Sequence, residues 1–358
     1  MEDKALSDEA TTRKVAPFGI IFAILGLLLF AYFVRRAGVG EIFEGMKRLG
    51  AGFLLILTFS AIRHSVRSLA WMKCFEPPYS LRFRDAFAAR IMGDALGNII
   101  PLASMAVSEP SKAVLVRKRV PLMAALSALA IENIFYSLSV TLLIFSGTAT
   151  LLLAFPLPKA LRYASFGALL VTLVIAPLGY LVIYKQWRVL SGAVSFFGRR
   201  GLARSWMERA VPRAQILESQ IYGFYRRNRG RLLPIFALEI SFHLAGVAEV
   251  YTVLSFISPL VAPTLLTAFL LESVNRIINV TFKFVPLRTG VDEAGTGMLA
   301  NVLGFTTAIG VTLAIIRKGR DIFWTSIGIA LLLRRGLSLE GVARETEEVI
   351  EEVVPEEG

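Results

Sequence analysis

Two stretches decide how the chain is read: Asn98-Ile-Ile-Pro101 with Ser108-Glu109-Pro110 after it, and Lys283-Phe-Val-Pro286 with Gly290-Val-Asp-Glu293-Ala294 after it. Pro101 precedes Glu109 by eight residues and Pro286 precedes Glu293 by seven. In both copies twelve residues then separate the glutamate from a long apolar segment, which starts at Pro121 in one and Phe305 in the other. Ahead of each proline lies a helical pattern with one polar face, Phe83–Ile100 and Leu265–Val285. A polar helix, a proline break, an acidic turn, a short helix and a long span therefore occur twice. Short helices of about eleven residues cannot cross a hydrocarbon core of roughly 30 Å. Each polar helix with its short partner reads as a hairpin that enters the membrane and turns back at the proline. Irregular backbone at that depth survives only where protein or a wet cavity covers it. Paired broken segments at corresponding places in two halves point to a transporter-type binding site.

Outward from these motifs, composition sets the class. Of 358 residues, 55% are hydrophobic and only 18% charged, and mean hydropathy is +0.62. A water-soluble chain of this size needs more polar surface than that. The expected fold is all-α: a polytopic membrane protein with about six full spans plus two re-entrant hairpins in an inverted repeat. The six spans are Ala16–Val34, Gly52–Trp71, Pro121–Gly147, Tyr163–Tyr184, Leu232–Ile257 and Phe305–Leu333. Ala16–Val34 reads as a retained anchor, because its apolar core is long for a signal peptide and no small-residue cleavage site follows. The expected organisation is an N-terminal tail at 1–14, a membrane domain at 15–335 and an acidic tail at 336–358. Within the membrane domain, repeat halves at about 52–184 and 232–333 flank a basic insert at 185–231.

That insert holds eleven of the basic residues against Glu208 and Glu218, so it supplies +9 of the formal +12. Basic loops between apolar spans mark cytoplasmic segments beside anionic headgroups. This placement outweighs a nucleic-acid patch, and no nucleic-acid partner is expected. With Lys185–Arg231 inside, both termini are cytoplasmic in the cell membrane and the two hairpins open from opposite faces. The same arrangement puts Arg35, Arg36, Lys47 and Arg48 outside, against the bias. Within the insert, Ile216, Ile221 and Phe224 lie among Arg213, Arg226 and Arg227, the pattern of an interfacial amphipathic helix. The single Cys74 and the two histidines, His64 and His243, leave no material for a disulfide framework or a zinc centre, and no metal or cofactor is expected.

Charged residues inside the spans carry the functional signal, since each costs about 2.5–3.5 kcal/mol at a bilayer centre on insertion scales. Ser60, Arg63, His64, Arg67 and Ser68 share one face of the second span. Glu272, Asn275, Arg276, Asn279 and Lys283 form a continuous polar face on Leu265–Val285. Arg90, Asp94 and Asn98 do the same on Phe83–Ile100, where Gly93 and Gly97 permit close helix approach. Glu132-Asn133 and Arg317 sit near the centres of the long helices. One reading is a set of ion pairs, such as Arg90 with Asp94 and Glu272 with Arg276, that only fixes packing. The other is a cavity for an anion. Near the second hairpin Arg276, Lys283, Arg288 and Arg317 outnumber Glu272, Asp292 and Glu293, and arginine suits bidentate phosphate recognition. Glu109 and Glu293 each read as opening a short helix, where a carboxylate complements the dipole, or else as an ion-pair gate or proton-sensitive group. Glu239 and His243, one turn apart, read as a packing pair. No P-loop, GxSxG or HExxH is present, so enzymatic activity is not expected.

The two Pro…Glu motifs resemble those of the flippase-like membrane family that includes the transmembrane region of lysylphosphatidylglycerol synthase. Pro286, Gly290-Val-Asp-Glu293-Ala294, Gly304 and Arg317 match its second half. In the first half Asn98, Pro101, Glu109 and Glu132 match, while Ser108 replaces a glycine, Lys112 an arginine, and Asn133 stands where arginine is common. The resemblance spans roughly residues 15–335 and implies lipid handling, with headgroup translocation as its plainest form. The aminoacyl-transferring soluble domain of the synthase members is not expected in the residues that follow Leu333.

The expected function is transport or flipping of an anionic, phosphate-bearing lipid or isoprenoid-linked intermediate. Arg276, Lys283, Arg288, Glu293, Arg317, Asn98, Glu109, Lys112 and Glu132 are the candidate substrate-binding residues. The alternative is a non-transporting accessory subunit that holds a lipid-modifying enzyme at the membrane through the basic insert or acidic tail. An integral-membrane transferase ranks behind both.

Overall fold

A computed structural model describes residues 38–99, 104–189, 204–282 and 288–337, with isolated positions 28, 31, 32, 34, 35, 191, 192, 195, 285, 341, 342 and 346. Most of the expected span Ala16–Val34, the hairpin prolines Pro101 and Pro286, the site candidate Lys283 and most of the acidic tail lie outside the described residues.

The chain is all-helical, with no strand among the described residues. The helices are α1 (Val39–Leu49), α2 (Phe53–Lys73), α3 (Phe83–Ile99), α4 (Ser104–Leu115), α5 (Leu122–Ala154), α6 (Lys159–Tyr184), α7 (Arg204–Arg227), α8 (Arg229–Ile257), α9 (Leu265–Thr281), α10 (Val291–Val302) and α11 (Thr307–Arg334). Among the described residues four segments are long and apolar enough to cross a membrane: Val39–Lys73, Leu122–Ala154, Leu161–Tyr184 and Arg229–Ile257. The first runs from α1 into α2 through a 3₁₀ turn at Gly50–Gly52. α11 has the length, since 28 residues at about 1.5 Å each span roughly 42 Å, but Arg317, Lys318, Arg320 and Asp321 interrupt its apolar run.

Local chemistry explains where the helices begin. Pro121 and Pro158 stand just ahead of α5 and α6, where a missing N–H and a fixed φ cost nothing. Thr264 caps α9: its Oγ1 accepts from the Thr267 N–H at 3.1 Å, and Thr267 Oγ1 accepts from the Thr264 N–H at 2.9 Å. Thr306 Oγ1 accepts from the Ile309 N–H at 3.3 Å and starts α11. Gly290 precedes α10 at φ +85°, a conformation that strains any residue with a Cβ.

The two hairpins form as pairs of packed helices, α3 with α4 and α9 with α10. α2 packs chiefly on α8, and α11 packs on both α3 and α10. At Gly93 a Cβ would meet Lys112 Cγ at 2.5 Å and the Ser108 carbonyl oxygen at 3.1 Å, so the expected close approach of α3 and α4 is present.

Packing divides the interior into layers along the helix axes. One apolar core joins Ile56, Val250, Leu254, Leu271, Leu299 and Leu313. A second joins Trp71, Ala86, Ala113, Leu129, Phe135, Phe224 and Ile235. On α2, Arg63 and Arg67 fall between Ile56 of the first core and Ala70-Trp71 of the second. On α8, Glu239, His243 and Glu249 fall between Ile235 and Val250. A charged layer is therefore enclosed by two dry ones. Outside, α6 shows Leu170, Val171, Val174 and Leu178 without protein cover, as expected of a lipid-facing helix. α7 docks on the bundle by Phe224 and Ile221, while Ile216 stays exposed, so only part of its expected apolar face is free.

Candidate functional site

The charged layer resolves into two networks. In the first, Arg67 on α2 donates from Nε to Glu132 Oε1 at 2.8 Å and from Nη2 to Asn133 Oδ1 at 3.2 Å. Its guanidinium also lies 3.9 Å above the Tyr136 ring. Arg90 on α3, 1% exposed, donates from Nη2 to the same Glu132 Oε1 at 3.0 Å and to the Arg67 carbonyl oxygen at 3.2 Å. The anticipated Arg90–Asp94 pair is replaced by this longer reach to α5. Asp94 instead faces Lys112 Nζ at 2.8 Å and His64 Nδ1 at 3.7 Å. Lys112, fully buried, also donates to Glu109 Oε1 at 2.7 Å, and Asn133 Nδ2 donates to Glu109 Oε2 at 3.0 Å.

Glu109 does not open its helix, contrary to expectation. α4 starts at Ser104, and Pro110 sits inside it. The Glu109 carboxylate is held by side chains in place of backbone N–H groups. The counterpart Glu293 does cap its helix: it is the third residue of α10, and its Oε2 accepts from the Gly290 N–H at 2.7 Å. Its other oxygen pairs with Lys318. Each short-helix glutamate thus meets the middle of the long helix that follows it, Asn133 in one half and Lys318 in the other.

The second network centres on Glu272, which is 1% exposed. Arg276 donates to its Oε1 from Nη2 at 2.6 Å and Nε at 3.0 Å, as the helical spacing implies. Arg63 donates to the same oxygen at 3.5 Å and to Glu249 Oε2 at 3.1 Å. Gly246 makes room for this crossing, since a Cβ there would stand 2.7 Å from Glu272 Oε1. Arg317 comes within 3.6 Å of Glu272 Oε2, yet its Nη1 and Nη2 make no hydrogen bond among the described residues. Arg320 pairs with Glu249 and Asp321, and Arg288 donates to Asp321 Oδ2 at 3.1 Å.

Of the candidate residues, Arg276 and Arg317 meet at Glu272, while Glu109, Lys112 and Glu132 belong to the first network. Glu293 joins Lys318, Arg288 joins Asp321, and Asn98 lies apart, exposed, donating to Thr325 Oγ1 at 2.9 Å. Glu249, Lys318, Arg320, Asp321 and Glu239 were not anticipated as parts of the networks. The run Arg317-Lys318-Gly319-Arg320-Asp321 inside a long helix was the signal for Lys318, Arg320 and Asp321; for Glu239 and Glu249 it was their place inside the apolar span Leu232–Ile257. His243 Nε2 lies 3.0 Å from Ser139 Oγ, so its partner is on α5 and not Glu239.

The family model for the lysylphosphatidylglycerol synthase TM region matches residues 18–328, which takes in both hairpins and both networks. The chain belongs to that family. Neither a curated protein nor a solved structure matches it. Membership makes this a membrane protein of the lysylphosphatidylglycerol synthase transmembrane type, consistent with its four apolar helices.

Near the second network a cleft of about 470 Å³ opens between the start of α2 and α11. Its walls are Met46, Leu49, Phe53, Ile315, Ile316 and Ile322, with Lys318 the one charged residue among the described residues lining it. The cleft reaches the cation that holds Glu293.

Proposed function

We propose that this membrane domain moves an anionic, phosphate-bearing lipid or isoprenoid-linked intermediate across the cell membrane. The observation that carries the reading is Arg317. Its side chain is 4% exposed, and two guanidinium nitrogens have no hydrogen-bond partner among the described residues. Buried donors left unpaired cost about 1–3 kcal/mol, so such an arginine is retained for something other than stability. A phosphate oxygen pair satisfies both donors at once. The apolar cleft beside Lys318 suits the tail of the same molecule. The matching contacts Asn133–Glu109 and Lys318–Glu293 support an internal repeat; an inverted arrangement of six spans with α11 included, and cytoplasmic termini set by the basic insert at 185–231, complete the proposal.

The test is reconstitution in vesicles with a headgroup-labelled anionic lipid, scoring protection from a membrane-impermeant quencher. Arg317→Met should abolish translocation while the protein elutes as a single species. A well-folded Arg317→Met that translocates like the parent contradicts the proposal and leaves the accessory-subunit reading.

A further inference from the structure

Away from both networks, a cleft of about 530 Å³ lies where α2 ends and α8 begins, and the translocation reading does not use it. Met72, Phe75 and Pro234 form apolar walls, while Lys73, Arg231, Tyr79 and Ser80 bring polar groups to it. No acid stands among the described residues that line it, so the cleft carries two positive charges. The second apolar core, with Trp71, Phe75 and Ile235, separates it from the charged layer.

Depth and chemistry together point to the occupant. Lys73 is the last residue of the apolar segment Val39–Lys73, and Arg231 is the third of Arg229–Ile257. Where two such segments end, the headgroup layer begins. Arg231 donates from Nη1 to the Phe75 carbonyl oxygen at 2.9 Å, which fixes the guanidinium while Nε and Nη2 keep no partner among the described residues. Lys73 makes no hydrogen bond or ion pair among the described residues. Glu76, between two lining residues, is already taken: its carboxylate accepts from Arg227 Nη2 at 2.7 Å, from Arg227 Nε at 3.1 Å and from Asn228 Nδ2. The Asn228 side chain caps no N–H of α8, and the first turn of that helix holds no acid. A cation in that turn works against the helix dipole, and an anion beside Arg231 offsets it.

We infer that the cleft seats the phosphate of an anionic phospholipid from the leaflet beside the basic insert. Arg231 and Lys73 hold the phosphate oxygens, and the hydroxyls of Tyr79 and Ser80 add donors for the rest of the headgroup. The first acyl carbons lie against Met72 and Pro234. The lipid thereby ties the end of α2 to the start of α8, next to the link from Glu76 to Arg227. All four polar side chains are exposed, so this lipid exchanges with the bilayer and is lost when the protein leaves it. The site goes beyond the translocation reading and needs no transport.

Hydrogen–deuterium exchange of the intact protein in nanodiscs reads the site locally, with phosphatidylserine titrated into phosphatidylcholine. Backbone exchange in the loop 74–82 should slow as phosphatidylserine rises. Removing one cation beside an anionic surface weakens the attraction about fivefold, so Lys73→Gln should need about five times the phosphatidylserine for half-maximal protection. Lys73 is exposed and unpaired, so this variant should fold like the parent, and Lys73→Arg should respond as the parent does. Lys118→Gln removes an exposed cation that does not line the cleft and should change nothing. Arg317→Met should also keep the protection, so failure of the translocation reading leaves this result untouched. No slowing in the parent, an equal shift in Lys118→Gln, or the same protection from inorganic phosphate in neutral nanodiscs overturns the inference.

Discussion

Glu272 and Arg317 face each other across 3.6 Å, but their replacement should have opposite consequences. Glu272 accepts from Arg276 at 2.6 and 3.0 Å and from Arg63 at 3.5 Å, all in a site closed to solvent. Glu272→Gln leaves three buried guanidinium groups facing a neutral amide. Breaking a buried pair from one side costs about 3–5 kcal/mol, and each 1.4 kcal/mol is tenfold, so the folded-to-unfolded ratio should fall roughly two to three and a half decades. Arg317→Met removes one ion pair at 3.6 Å together with two unsatisfied donors. Those terms offset each other, and the net change should stay within about 1 kcal/mol. Reversible unfolding in mixed micelles measures both variants. Equal costs, or an Arg317→Met variant as unstable as Glu272→Gln, would refute the view that Glu272 organises the layer and Arg317 is held in reserve.

Three further outcomes follow from the geometry. Gly93→Val drives side-chain atoms into Lys112 and the Ser108 carbonyl oxygen, so the first hairpin should loosen at a cost of about 1–3 kcal/mol, seen as a lower thermal midpoint. Outside the membrane, hydrogen bonds from Arg227 hold the Glu76 carboxyl below the ordinary carboxylate range. The docking of α7 through that pair should therefore be intact above the usual carboxylate pKa and lost as pH falls through the lower folded value. Glu76→Gln should mimic the acid form at neutral pH, read as faster proteolysis at Arg226-Arg227, with unchanged cleavage contradicting it. Finally, with Cys74 replaced by Ala, a cysteine at the exposed Leu260 should label with an impermeant thiol reagent from outside and one at Ser219 only from inside. The reverse pattern inverts the proposed topology.

The helical architecture was legible because its signals are local. Pro121, the Thr306 cap and the long apolar runs mark helix starts and lengths without reference to the rest of the chain. The polar faces of α2, α3 and α9 were also visible as three- and four-residue spacing, and Arg63, Arg90, Glu272 and Arg276 on them are buried, while Asn98 at the end of α3 is exposed. Partner choice was not legible, because it depends on which helices meet. Arg90 has Asp94 one turn away but reaches Glu132, forty-two residues on, because α5 packs where Asp94 does not point. Likewise, Lys318 looks like a neighbour of Arg317 in sequence, yet a helical turn of about 100° per residue sends it to Glu293. Glu109 misled because it was read in parallel with Glu293 as opening a short helix, whereas α4 already begins five residues earlier at Ser104.

The account's central claim is that Arg317 holds a phosphate-bearing lipid within the charged layer. Native mass spectrometry of the protein released from lipid nanodiscs tests it most directly. The parent should retain an anionic phospholipid, and Arg317→Met, equally folded, should lose it while still carrying neutral lipid. Equal retention of the anionic lipid by parent and Arg317→Met contradicts the claim.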